Sequence, residues 1–526
     1  IKEAIESHKK IVIYGDYDAD GVISTYILFT ALRKCGANVT YYIPDREWEG
    51  YGINIDRLKT LHSEGCQVLI TCDNGIAAIN EIKCARELGM SVVITDHHEV
   101  PFIEDEDGNR TIVLPEANAI IDPKQPDCHY PFKQLCGASV AYKVSEVLYE
   151  KMGIRREEAN QFIEYAAIAT ICDVVDVLYE NRIIAKIGLD MLNNTKNIGL
   201  KALIKTVGME GKKIKSYHVG FIIGPCINAT GRLEKADLSL KLLLCQDPAE
   251  ADEIAMQLRE LNEKRQSLTE KGFENVCRII NNYNYLQDKV LIVYEPSVHE
   301  SVAGIIAGRV KEKYNRPTII LTDSKDELFA KGSGRSIEKY NMFEELSKLK
   351  YLMEKFGGHQ MAAGLTIKKE NINELRKKLN ENSPLTESDL IPKLTIDSHV
   401  PISDVSIDLI NDIEALEPFG KGNPSPIFGD KKINVDRFYI VGSNKNTLKL
   451  ILNTENNHRI DAVGFNQVEK FINMLENKFG IEKAEEMIRN QKCDTRLDIA
   501  FVPALNTYNG ITSVQLRLYD FRISNA

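Results

Sequence analysis

The 526-residue chain has no apolar run approaching the roughly eighteen residues that a membrane-spanning helix needs. Its first ten residues, IKEAIESHKK, hold no apolar signal core, so the expected setting is the cytoplasm. No C-x-x-C pair occurs among its eleven cysteines, Cys35 to Cys493. That excludes zinc knuckles and redox motifs and leaves reduced, mostly structural thiols. There is no surplus of basic charge either: 66 Lys and Arg stand against 76 Asp and Glu, a net charge of −10. Such a balance argues against a protein that coats nucleic acid indiscriminately, while leaving room for a local basic groove. No internal repeat and no low-complexity segment is evident. The chain starts without Met, inside a helix-like stretch, which reads as the trace of a trimmed leading segment.

What is present is an ordinary globular composition, 43% hydrophobic and 27% charged, over a length that suggests three or four domains. The first hundred residues alternate β-branched runs (KIVIYGD, NVTYYIP, QVLITCDNG, SVVITDHHE) with amphipathic stretches ending in Gly36 and Gly89. That alternation predicts βαβ units and a doubly wound parallel sheet, whose ligands bind beyond the carboxyl ends of the strands. Asp16, Asp73 and the run Asp96-His97-His98 each follow a strand pattern at once, so the sheet is expected to gather them on one edge. A further acid, Asp173, ends the helix-like QFIEYAAIATICD.

The stretch GDYDADG packs Asp16, Asp18 and Asp20 into five positions. Like charges at a strand end repel, and a divalent cation neutralises them. Oxygen-rich ligands with one imidazole suit Mn²⁺ or Mg²⁺ better than Zn²⁺. Five aspartates and one histidine are enough for two ions, an arrangement that promotes phosphoryl displacement by water. A lone D-x-D-x-D is also a calcium loop or a solvated turn. The calcium reading asks for Glu at the twelfth position, which here is Ile27.

Further along, a long charged helix is expected from about Ala249 to Tyr283, with Ile254, Leu258, Leu261 and Leu268 at spacings of four, three and seven, joining two lobes or forming half a coiled coil. A second α/β unit follows from Lys289 to about Lys369, with the glycine clusters GSGRS and FGGHQMAAG. NENSPLTESDL is a linker candidate, and the short strand-like runs after it predict a small β-barrel. The acidic insert PFIEDEDGNR is expected to be a mobile surface loop.

GDYDADG, CDNG, TDHHE and ATICDVVD, in this order, resemble the motifs of the DHH phosphoesterase superfamily. NATGRL, HESVAGIIAGRV, GSGRS, FGGHQMAAG and LEPFGKGNPSPIF narrow the resemblance to the RecJ family of single-strand-specific exonucleases, from about Ile5 to Phe521. The resemblance implies a DHH catalytic domain (1–248), a joining helix (249–285), a DHHA1 domain (286–375) and an OB-fold single-strand-binding domain (388–526). It implies hydrolysis of single-stranded DNA, 5′ to 3′, to mononucleotides in repair and recombination. It implies two divalent ions, Mn²⁺ or Mg²⁺, on Asp16, Asp18, Asp20, Asp73, His97 and Asp173, with Asp73 as the bridge and Asp73, His97 and His98 in the chemistry. Substrate contacts carried over in the same way are Arg46, Tyr51, Arg232, Ser333, Arg335 and His359. Implied partners are single-stranded DNA, a helicase and a single-strand-binding protein.

Arginine binds phosphate bidentately and glycines let backbone N–H groups approach an anion, so GSGR reads as an anchor for a 5′-phosphate. The plainer reading is a hairpin turn with a solvated arginine. In the barrel, Lys431 to Leu450 carries five basic residues against Asp436 alone, with Phe438 and Tyr439 as stacking candidates or core aromatics. Departures from the family pattern are Asp45 where Asn is frequent, Cys226 where a basic residue is frequent, and the length of the acidic insert. Every metal-ligand position is filled. The competing functions are a DHH phosphodiesterase acting on short oligonucleotides or cyclic dinucleotides, and a non-catalytic replication scaffold.

Overall fold

The computed structural model describes residues 1–45, 49, 52–104, 109–233, 237–442, 444–453, 459–493, 495–508 and 510–524. It consists of two compact units, Ile1–Pro392 and Lys393–Ala526.

In the first unit, four short apolar runs become the parallel strands β1 (Ile11–Tyr14), β2 (Val39–Tyr42), β3 (Val68–Cys72) and β4 (Ser91–Thr95). Strands β5 (Phe102–Glu104) and β6 (Arg110–Ile112) form a separate antiparallel ribbon, and β7 (Ala119–Ile121) completes the sheet in the order β2-β1-β3-β4-β7. The flanks of the acidic insert are therefore paired strands rather than a loop. Alternation along β1 explains the double winding: Ile11 and Ile13 enter one hydrophobic core, Val12 and Tyr14 the other. The chain leaves β1 to one side for β2 and returns on the other for β3. The switch point of the sheet thus lies at the carboxyl ends of β1 and β3, where such folds open a crevice.

A 35-residue helix, Pro248–Asn282, follows, capped by the Asp247 side chain on the Glu250 N–H and opened by proline at its first turn. Ile254, Ala255 and Leu258 bury in the core of the first sheet, while Val276 and Ile280 bury in that of the second. One helix therefore belongs to both cores. The second sheet contains β8 (Leu291–Tyr294), β9 (Thr318–Asp323), β10 (Phe329–Arg335), β11 (Met353–His359) and β12 (Ala362–Lys368), ordered β11-β12-β10-β9-β8.

In the second unit, β13 (Ser398–His399) adds to β14 (Phe428–Val441), which continues through β15 (Thr447–Asn453), β16 (Arg459–Phe465), β18 (Ile511–Ile523) and β17 (Arg496–Tyr508). Strand β17 pairs back onto β14 and closes the barrel. Phe438 is buried in its core with its ring 4.9 Å from Phe471, so it is not a stacking surface. Tyr439, its neighbour on the other face, stays half-buried. Among the described residues, no helix is long and apolar enough to cross a membrane.

Candidate metal centre and phosphate cavity

Asp16 lies two residues past β1, Asp73 directly past β3 and Asp96-His97-His98 directly past β4, while Asp173 caps the helix Ile163–Cys172. The fold brings these termini together. Three sets of groups, Asp16/Asp18/Asp73, Asp20/His97/Asp173 and Asp73/His97/His98, each place their ligand atoms within 4.8 Å of one another. Asp73 and His97 each belong to two of the sets.

The electrostatics ask for a cation. Burial and the surrounding carboxylates push Asp73 well above the usual carboxylate range. Burial, then Asp18, raises Asp20 to about 6, and burial, then Asp20 and Asp18, raises Asp173 to about 8. Burial and the neighbouring His98 hold His97 down at about 3, so its ring is neutral and its approaches to Asp20, Asp73 and Asp173 are not ion pairs. The Leu135 backbone hydrogen-bonds the His97 ring, and Nε2 stands 3.0 Å from Asp73 Oδ1 with no hydrogen bond between them. That oxygen is buried and has no hydrogen-bond donor. An imidazole nitrogen beside a buried, unpartnered carboxylate oxygen gains nothing in isolation and suits a shared metal ion. The donor set fits divalent cations.

His98 is poised differently. Its Nδ1 lies 2.7 Å from Asp96 Oδ1, and this bond outweighs burial to raise the ring to about 9. Asp96 is itself pinned by the backbone N–H groups of Ile76, His97 and His98. The result is an imidazolium held by Asp96.

Several groups here lack a local sequence signal. Both Asp20 oxygens accept backbone N–H groups, from Gly137 at 2.6 Å and Ala138 at 2.7 Å, at the start of the helix Gly137–Lys151. A Cβ on Gly137 would stand 2.8 Å from the Asp73 side chain, so glycine is required for that approach. Asn228 in NATGRL accepts from the Ala19 N–H at 2.8 Å and ties the helix Gly224–Leu233 to the acid loop. Asn74 donates to the Gly15 carbonyl. Asp122 follows β7 as the other acids follow their strands, and burial raises it to about 7. AIID carried the same strand-then-acid signal.

Arg46 and Tyr51 lie outside the described residues, as does the side chain of Arg232, whose backbone is near the end of the helix Gly224–Leu233. Ser333 and Arg335 line a cavity of about 430 Å³ with Lys331, Lys355, Gly304 and Thr366. GSGR is neither a turn nor a backbone cradle. It lies within β10, laddered on both sides to β9 and β12, so its N–H groups are committed to the sheet. Its glycines make room for packing instead: a Cβ on Gly334 would meet Met342 Sδ at 2.3 Å, and one on Gly332 would meet Leu321 and Leu365. Lys331, Ser333 and Arg335 alternate onto the other face, toward Gly304 of the helix Glu300–Tyr314. His359 ends β11, exposed, with Nδ1 accepting from the Met361 N–H, and does not line this cavity.

The chain matches the DHH family N-terminal domain over residues 10–171, the DHHA1 domain over 287–382 and the RecJ OB domain over 396–520. It is 39% identical to the single-stranded-DNA-specific exonuclease RecJ of Bacillus subtilis, with 89% of this chain and 58% of that protein covered. To the exonuclease of the same name from Haemophilus influenzae it is 32% identical, over 88% of this chain and 82% of that one. It thus spans rather less than two thirds of the first relative's length and most of the second's. RecJ from Thermus thermophilus, crystallised with Mn²⁺, matches all of this chain and 70% of its own, with a TM-score of 0.81 and 25% identity. An exonuclease RecJ bound to manganese matches 74% of this chain and 93% of its own, at a TM-score of 0.62 and 30% identity.

Proposed function

The chain belongs to the RecJ family of DHH phosphoesterases, and from that premise we propose that it hydrolyses single-stranded DNA from the 5′ end to 5′-mononucleotides. The observation that carries the reading is the buried, unpartnered Asp73 oxygen beside His97 Nε2 inside a ring of carboxylates. Asp16, Asp18, Asp20, Asp73, His97 and Asp173 would hold two divalent ions, with Asp73 central to the set. Mn²⁺ or Mg²⁺ bound there would supply Lewis-acid activation of water and neutralise the phosphodiester.

The chain's own groups do the rest. Gly137 and Ala138 fix the Asp20 carboxylate, and the Leu135 backbone holds the His97 ring. The His98 imidazolium, oriented by Asp96, would face the substrate phosphate. Ser333 and Arg335 receive the 5′-phosphate through side chains, and Arg46, Tyr51, Arg232 and His359 contact the strand. In this reading residues 1–248 are catalytic, 249–285 join, 286–375 hold the end of the strand, and 388–526 bind single strands. A helicase and a single-strand-binding protein supply unwound DNA in repair and recombination, in the cytoplasm.

The test is digestion of 5′- and 3′-end-labelled single strands, with and without 5′-phosphate, in Mn²⁺, Mg²⁺ and EDTA. Immediate release of the 5′ label as a mononucleotide, lost in EDTA, is expected. No cleavage with either ion, but retained strand binding, would replace the nuclease by a scaffold.

A further inference from the structure

Two non-glycine residues in the six positions after Asp173 hold left-handed backbone, Val174 at φ 58° and Tyr179 at φ 44°. Elsewhere among the described residues such backbone falls on glycines, as at Gly153, Gly208 and Gly211, and on eight other residues, none of them β-branched and none of them tyrosine. A β-branched and a bulky aromatic residue are the least suited to it. Neither is rewarded by burial: Val174 is 59% exposed and Tyr179 78%. Strain at exposed apolar side chains beside a catalytic cluster points to use of those side chains.

The segment is rigidly held. Asn181, fully buried, donates to the carbonyls of Gln134 and Asp176. Glu180 receives the Tyr130 hydroxyl and pairs with Lys143, both at 2.7 Å. These bonds clamp the run leaving Asp173 onto the run 130–136, which leads into the Gly137 and Ala138 N–H groups on Asp20. Between the two runs, the Phe132 and Tyr179 rings meet edge to face at 6.1 Å. The aromatic pair is thus continuous with both sides of the acid cluster.

We infer that Tyr179, backed by Phe132, is a stacking step for a base of the single strand near the scissile phosphate. This rests on the exonuclease reading above. A base offers a flat face to an exposed ring whatever its sequence, and one such stack supports strand affinity appreciably. Arg182, one turn along the helix Tyr179–Leu192, adds positive charge on the same segment.

The test compares the parent with Tyr179→Gly, which relieves the backbone, Tyr179→Asn, which tolerates it, and Tyr179→Phe. Substrates are 5′-phosphorylated strands, intact or abasic in the first few nucleotides. Tyr179→Gly and Tyr179→Asn are expected to raise KM for intact strands on the order of tenfold, with unchanged Tm or a higher one, no effect on abasic strands and full activity in Tyr179→Phe. Equal KM for parent and Tyr179→Gly on intact strands overturns the inference, as does an equal penalty on abasic strands. Failure of the parent to digest any strand overturns the exonuclease reading instead.

Discussion

Two sites within residues 1–392 present opposite electrostatic problems. The edge of the first sheet gathers carboxylates that burial drives up in pKa, with an orphaned oxygen at its centre. The cavity of the second sheet gathers Arg335, Lys331 and Lys355 around Ser333, with Glu300 paired to Lys331 at 2.8 Å. One attracts cations and the other attracts an anion. A nucleic-acid terminus with its metal ions supplies both, because the phosphate is the anion and the ions accompany the scissile group. The difference also extends to construction. The acid edge is built at strand ends, where side chains converge beyond the sheet, and the basic cavity on a strand face, where they alternate outward from a closed ladder.

The largest test of this contrast is Asp73→Asn. Cleavage is expected to fall on the order of a thousandfold or more, since several kcal/mol of metal-ion stabilisation depend on that position. In EDTA the same variant should melt higher than the parent, because a buried repulsive charge has gone, and Mn²⁺ should no longer raise its Tm. Melting curves with EDTA and Mn²⁺ check both. A less stable metal-free variant would mean that the acid edge satisfies itself without a cation.

Gly137→Ala and Gly304→Ala form a matched pair. The added Cβ stands 2.8 Å from the Asp73 side chain in the first, and 2.8 Å from Ser333 Oγ and 2.9 Å from Arg335 Nη2 in the second. Asp73 follows β3 with positive φ and little freedom, whereas the arginine tip can swing. Gly137→Ala is therefore expected to weaken Mn²⁺ binding by roughly 10- to 100-fold, the range for disturbing what orients a ligand. Gly304→Ala should leave Mn²⁺ binding intact. Calorimetric titration of Mn²⁺ measures both, and equal losses would deny that the two sites are separate devices. Smaller again, Arg335→Ala should raise KM for 5′-phosphorylated strands about tenfold, the loss of one charge-assisted contact. 5′-hydroxyl strands should be unaffected. Arg335→Lys should recover only part of it, because the fork is lost.

The acid edge was legible because its signals are local: a short β-branched run followed at once by an acid, repeated after β1, β3 and β4. The joining helix was legible for a similar reason, since its periodic Ile254, Leu258 and Leu261 lie in one stretch, whereas its Asp247 cap and the proline after it were not read. The supports of the edge were not. Asn228 meets Ala19 across 209 positions and Gly137 meets Asp20 across 117, and nothing beside either residue announces its partner. GSGR shows the converse. A glycine pair reads as a turn or cradle from its neighbours, and only Met342 and Leu365, distant in sequence, reveal that the glycines serve packing within a strand. Phe438 is similar: its alternation in β14 fits either face of a barrel, and contact with Phe471 assigns it to the core.

The smallest effect concerns the metal-free protein and pH. Asp20, Asp122 and Asp173 stand at about 6, 7 and 8 in the folded chain against an ordinary 3.8, and His98 at about 9 against 6.5. Each raised value means that the folded state holds its proton longer than the unfolded chain, so stability is lost as pH climbs toward the folded value. His97, held down at about 3, has the opposite sign, but its contribution is complete above its ordinary 6.5. Between pH 6.5 and 8, then, Asp173, Asp122 and His98 act in one direction and His97 no longer opposes them. In EDTA the Tm should fall across that window, and Asp173→Asn should flatten it while Arg335→Ala leaves it alone. With Mn²⁺ the fall should shrink or reverse, because metal binding takes the place of those protons and strengthens as they leave. A metal-free profile that stays flat from 6.5 to 8 would show that the carboxylates are already relieved of one another's charge, and the contrast between the two sites would then rest on the basic one alone.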